Sequence, residues 1–202
     1  MKKFKVTMVI VLLLALGNCT HKVTLDLQPN FNAKLEKQNA LTIQPAIQFF
    51  KGNFQDKRTD ISKLATFKQA VHTYNLFAGR PIEDAIFEGL QQLFTGSGHK
   101  WDNNSPPEVR VNLQLLNVQA NRNAGFVKVT ASSSIQIKLD FVDAEGQVIY
   151  SEVYNGKDDR GQALVGFMNM VRKSVDDSII NCINNVGKDE DLAKALKKFK
   201  GQ

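Results

Sequence analysis

Apolar residues recur at every second position through the middle of the chain and at every third or fourth position on either side of it. Val109, Val111, Leu113 and Leu115 alternate with polar or charged residues. In the next segment Val127, Val129, Ala131, Ser133, Ile135, Ile137, Leu139 and Phe141 share one face, opposite Lys128, Thr130, Ser132, Ser134, Gln136, Lys138 and Asp140. A period of two held this long predicts an antiparallel strand with one solvated side, because parallel strands are usually buried on both. Residues 121–125 offer a turn between these strands, and Asp143-Ala144-Glu145-Gly146 offers one into residues 147–154, so a three-stranded meander is expected. Helical spacing appears in Ile82, Ala85, Ile86, Leu90, Leu93 and Phe94, between Pro81, suited to a first turn, and Gly96, suited to termination. A second helix is expected from near Gly161, with Leu164, Phe167, Met168, Val171, Val175, Ile179, Cys182, Ile183 and Val186 as its apolar stripe. Asp189 can cap a last short helix lined by Leu192, Ala195, Leu196 and Phe199.

The chain before these elements is less regular. Residues 23–27 alternate as an edge strand would, and Pro29 then opens a polar loop reaching Asn39. Residues 41–50 are β-prone, but Pro45 cannot donate to a ladder, so an edge strand or a bulge is expected there. The fold class is α+β: an antiparallel sheet containing the meander, with two main helices packed on one face.

At the extreme N-terminus, Lys2-Lys3-Phe4-Lys5 precedes nine consecutive apolar residues, 8–16. A membrane-spanning helix needs about 20, so the run reads as a secretory signal. Removing this leader changes the charge argument, since the formal +6 includes its three lysines and falls to +3 without them. Five lysines at residues 188–202 face three acids there, which leaves +1 for the body and no basic face for nucleic acid. With 43% hydrophobic and 23% charged residues the chain has the balance of a folded globular domain, which excludes extended disorder.

Leu16-Gly17-Asn18-Cys19 resembles the lipobox of bacterial lipoproteins, in which the cysteine sulfur receives a diacylglyceryl group before cleavage and becomes the mature N-terminus. This implies a membrane anchor at Cys19, with further acylation giving the two or more chains that stable attachment needs. Thr20 in place of Asp favours the outer membrane by the sorting rule of enteric lipoproteins. The chain then divides into a signal peptide at 1–18, a lipidated cysteine with edge strand and polar linker at 19–40, and one α+β domain at 41–202.

Val23-Thr24-Leu25-Asp26-Leu27-Gln28-Pro29, Asp56-Lys57-Arg58-Thr59-Asp60 and Val111-Asn112-Leu113-Gln114-Leu115, in this order after the cysteine, resemble the YajG family of bacterial envelope lipoproteins. Gly98 after the first helix and Gly161-Gln162-Ala163 before the last long one extend the likeness over nearly all of the mature chain. The resemblance implies a periplasm-facing outer-membrane lipoprotein with no established catalytic activity.

The residues offer little chemistry beyond binding. His21, His72 and His99 lack cysteines or acids at zinc-site spacing, so neither a metal nor a cofactor is expected. Cys182 lies on an apolar stripe and is expected to be buried and inert. Gly96-Ser97-Gly98 follows a helix instead of opening one, which makes it a cap and not a phosphate loop. Trp101 is either an exposed anchor for a partner or headgroup or a packed residue, and the family resemblance, which implies a short strand there after the helix, favours packing. Asp56, Arg58 and Asp60 either bind a partner's charges or pin a turn among themselves, and together with Lys128 and Lys138 they form the candidate partner-binding set. The expected function is a non-catalytic, lipid-anchored module that binds an envelope protein or peptidoglycan. An accessory of intermembrane lipid transport is the alternative, and it would require an apolar cavity between helices and sheet.

Overall fold

The computed structural model describes residues 19–36, 41–69, 72–102, 108–124, 129–161 and 167–201. The leader, Lys128, Val127 and Leu164 lie outside the described residues. In chain order the elements are β1 (Cys19–Leu25), α1 (Phe31–Lys34), β2 (Gln48–Asp56), β3 (Ala65–Gln69), β4 (His72–Ala78), α2 (Ile82–Gly96), β5 (Lys100–Trp101), β6 (Val109–Ala124), β7 (Val129–Asp143), β8 (Val148–Gly161), α3 (Phe167–Gly187) and α4 (Glu190–Phe199). The α+β class holds, with strands in two sheets ordered β5-β2-β6-β7-β8 and β1-β4-β3.

β6, β7 and β8 pair antiparallel as the alternation predicts. The sheet as a whole is mixed, because β2 joins it parallel to both β5 and β6. The inward row of β7 is buried, including Ala131, Ile135, Ile137, Leu139 and Phe141. In β6 the buried parity changes from Val109, Val111, Leu113 and Leu115 to Val118 and Ala120. A register shift between Leu115 and Asn117 inserts one extra residue there, and a single-residue insertion reverses which positions face inward.

Several expected boundaries move. The turn predicted at 121–125 is largely strand, since Asn121 pairs with Ser132 and Ala124 with Val129. Cross-strand pairing overrides local turn preference, and the connection falls at 125–128, outside the described residues. Gly161 does not open a helix: it ends β8 opposite Thr130, and the described part of α3 begins at Phe167. Residues 41–47 are not strand, with Leu41, Ile43 and Ile47 buried in an irregular approach that includes a cis Gln44–Pro45 bond. The polar stretch after Pro29 is not simply loop, for Asn30 caps the short α1 and Phe31 is buried. The pattern of apolar positions does not predict β3 or β4.

The long helices α2 and α3 cover one face of the five-stranded sheet, and the short α1 and α4 pack beside them. Phe49, Phe94 and Phe141 form the centre of that layer, with ring centroids 4.2 to 6.4 Å apart, and Trp101 stacks on Phe94 at 6.1 Å. α3 approaches β8 so closely that a Cβ on Gly156 would collide with the Ser178 carbonyl oxygen and lie 2.6 Å from the Cys182 nitrogen. Glycine is therefore the residue that permits this crossing.

Candidate functional site

Arg58 follows β2, and its guanidinium is spent within the protein. Nε donates to Asp56 Oδ1 at 2.9 Å, Nη2 to Asp56 Oδ2 at 2.6 Å, and Nη1 to the carbonyls of Lys63 and Leu64 at 2.9 and 3.0 Å. Its side chain is 9% exposed. This forked pairing closes the loop between β2 and β3 onto the strand end. Burial raises the Asp56 pKa, but the Arg58 hydrogen bonds and charge outweigh it and hold the carboxyl below its ordinary value. Asp60 is separately engaged: it accepts from the Ser62 N–H at 3.0 Å and pairs with Lys63 at 2.7 Å, and Lys63 and Ser62 hold its pKa at about 2. The locked loop presents Ile61, 66% exposed, at the rim of an open cleft of about 420 Å³ whose far wall includes Phe77, Arg80 and Ile82.

Lys138 belongs to a different surface. Register sets Asp56 beside Leu115 and Ile137, on the helix-covered face, whereas Lys138 lies beside Gln114 and Gln55 on the opposite one. The structure therefore sets Asp56, with the Arg58 guanidinium paired to it, and Lys138 on opposite faces of the sheet. Lys138 pairs with Asp140 at 3.0 Å, and Asp140 also accepts from Ser151 Oγ at 2.6 Å. Gln136 Nε2 donates to Asn155 Oδ1 at 3.0 Å on the same side. Gln119, Ser151, Asn155 and Lys157 on this side are exposed, giving a field of amides, hydroxyls and a few charges that none of the described helices covers.

Cys19 is exposed and is the first residue of β1, opposite His72 in a parallel pair with β4. Cys182 is buried in α3, and burial raises its thiol pKa far above the ordinary range, so it has no thiolate chemistry at neutral pH. Among the described residues no group of three His, Cys, Asp or Glu side chains could hold a metal. His99 is buried, its Nδ1 accepting the Ile47 N–H at 3.1 Å and its Nε2 donating to the Leu41 carbonyl at 2.7 Å. That pair of bonds fixes the irregular 41–47 segment, a role that spacing alone could not reveal. A pairing of His21 Nε2 with His72 Nδ1 at 2.9 Å was equally invisible, because it depends on strand register.

A cysteine that opens the first strand, behind a short apolar leader, is the arrangement expected of membrane-anchored envelope lipoproteins. The family model described as "Uncharacterized lipoprotein" matches residues 51–197, and the chain belongs to that family, the YajG type that its motifs resemble. No curated protein matches the sequence at a significant level. Among solved structures, a Helicobacter pylori protein described as a homologue of a neuraminyllactose-binding hemagglutinin is similar at a TM-score of 0.50 and 10% identity, covering 87% of this chain and 98% of its own. A Xanthomonas campestris protein is similar at a TM-score of 0.49 and 12% identity over 91% and 97% of the two chains. A minor lipoprotein from Acinetobacter baumannii is similar at 0.41 and 10% identity over 77% and 96%. At these identities the likeness concerns the fold alone.

Proposed function

We propose that the protein is a non-catalytic module held by acyl chains on Cys19 in the outer membrane, facing the periplasm, and that it binds another envelope protein or peptidoglycan. The uncovered face of the meander carries this reading. Gln114, Gln119, Ser134, Gln136, Asn155 and Lys157 lie on it, and amides and hydroxyls both donate and accept, so the face suits peptide groups or sugar hydroxyls. Lys138 belongs to this face, while Asp56, Arg58 and Asp60 serve binding indirectly by shaping the loop that holds Ile61 outward. The lipid-carrier alternative is disfavoured because Phe49, Phe94, Phe141 and Ile179 fill the layer where a carrier's apolar cavity would lie.

A photoreactive residue at Gln119 or Ser134 in intact cells tests the reading. The expected result is one discrete adduct from both positions, weakened by Lys138→Glu. Absence of any adduct from both positions, in protein that is folded and anchored, would sink it.

A further inference from the structure

Because β1 opens on Cys19 itself, the anchor leaves the folded domain without an intervening linker. Whatever carries acyl chains at Cys19 is therefore fixed to one end of the three-stranded sheet. β4 starts and β3 finishes at the same end, which sets Thr20 beside Thr73 and Thr73 beside Lys68. Two side-chain features mark that end, the aromatic one on one face of the sheet and the lysines on the other. His21 stacks on Tyr74 with centroids 4.9 Å apart, Tyr74 stacks on Phe67 at 4.9 Å, and Phe67 meets Phe167 edge-on at 5.5 Å, so an aromatic row runs from the strand edge toward the core. Across β1, β3 and β4 there is no Asp or Glu, against 20 in the whole chain, while Lys22, Lys68, His21 and His72 are all present. Neither lysine has an ion-pair partner among the described residues.

We infer that this end of the β1-β4-β3 sheet is itself a docking surface for an anionic lipid bilayer, resting on the headgroup layer beside the anchor. The inference rests on the reading of Cys19 as the lipidated residue. A strand rises about 3.3 Å per residue, so Lys68, level with Thr73, lies about 3 Å and Lys22 about 10 Å along the strand from the level of Cys19. Those distances match the ~8–10 Å Debye length, over which lipid phosphates attract cations at physiological salt. Histidine and tyrosine present an apolar ring with a polar edge, the combination that settles at a membrane interface. A sheet pinned there by its first residue holds the whole domain in one orientation, whereas a flexible tether would let it tumble.

The test uses the full lipidated protein in phosphatidylglycerol vesicles carrying a nickel-chelating lipid, with a nitroxide at Thr73. Flotation with the vesicles reads the anchor, and nickel-induced relaxation of the nitroxide reads docking. The expected result is flotation with strong relaxation, the docked-to-undocked ratio falling about fivefold for each lysine neutralised in Lys22→Gln and Lys68→Gln. Failure to float would overturn the lipidation reading. Flotation without relaxation at Thr73 would overturn docking alone, and relaxation equally strong in phosphatidylcholine vesicles would overturn the anionic partner.

Discussion

Asp189 sits between α3 and α4, and its two oxygens accept four hydrogen bonds. Oδ1 takes the N–H groups of Asp191 and Leu192 at 2.9 and 3.0 Å, and Oδ2 takes the hydroxyls of Tyr150 and Tyr154 at 2.8 and 2.7 Å. One carboxylate thus caps α4 and ties it to β8. Burial pushes the Asp189 pKa up, but the donors from Tyr154, Leu192, Tyr150 and Asp191 outweigh it and hold the carboxyl below its ordinary value. Since the unfolded chain then binds the proton more readily, this contribution is present above the unfolded value near 3.9 and lost as pH falls through the folded one. Asp189→Ala is expected to cost about 2–3 kcal/mol at neutral pH, from the lost cap and two orphaned hydroxyls. Its stability should also fall less steeply than the parent's below about pH 4. Urea melts at neutral pH and near pH 3 check both points, and an unchanged acid slope would remove Asp189 from the account. His99 adds a dependence at higher pH. Burial lowers its pKa, so the unfolded state takes up a proton first below about pH 6.5 and stability declines from there downward.

At the scale of elements, Gly156 and the β7 alternation make separable predictions. Gly156→Ala drives a methyl group into the Ser178 carbonyl and should cost about 1–3 kcal/mol, measured by denaturant unfolding. Ile137→Asp buries an unpaired charge and should unfold the domain, whereas Lys138→Glu, on the uncovered face, should cost under about 1 kcal/mol. Equal losses in these two variants would mean that the faces of β7 had been misassigned. β7 was legible in the sequence because a pleated strand converts alternation directly into facing, and α3 because its stripe from Val171 to Val186 holds the helical period over about four turns. The parallel placement of β2 was not legible, since strand order is set by long-range pairing that leaves no local mark. β3 and β4 are short, and β4 is mostly half-buried, so neither shows clean alternation. The Asp56–Arg58 lock could be read from adjacent opposite charges, but its separation from Lys138 could not, because opposite sheet faces appear only once register is known.

At the scale of the molecule, the segment between anchor and core is where a linker and a structural strap predict different behaviour. Leu25, Leu27 and Phe31 are buried, and Phe31 fills the space where a Cβ on Gly89 would meet its ring at 2.6 Å. The Gln28 N–H donates to Asp176 at 3.0 Å and the Glu36 N–H to Asn184 at 3.0 Å, while Lys188 pairs with Glu36 at 2.9 Å and Lys34 pairs with Asp177. These contacts run along α3, so residues 25–36 complete the domain although they precede the matched family region at 51–197. Cys19→Ser should release the protein to the soluble fraction or leave it with its leader, with fatty-acid labelling lost and the melting temperature of the domain unchanged. Phe31→Ala should do the opposite, leaving labelling intact while costing about 3–4 kcal/mol in a urea melt. Deleting residues 20–36 behind a retained Cys19 makes the sharpest comparison, because a polar linker could be removed without thermal consequence. A strap that buries three large apolar side chains could not, so the deletion is expected to abolish the cooperative melt. An unchanged melting temperature in the deletion variant would show that the domain folds without its anchor-proximal segment.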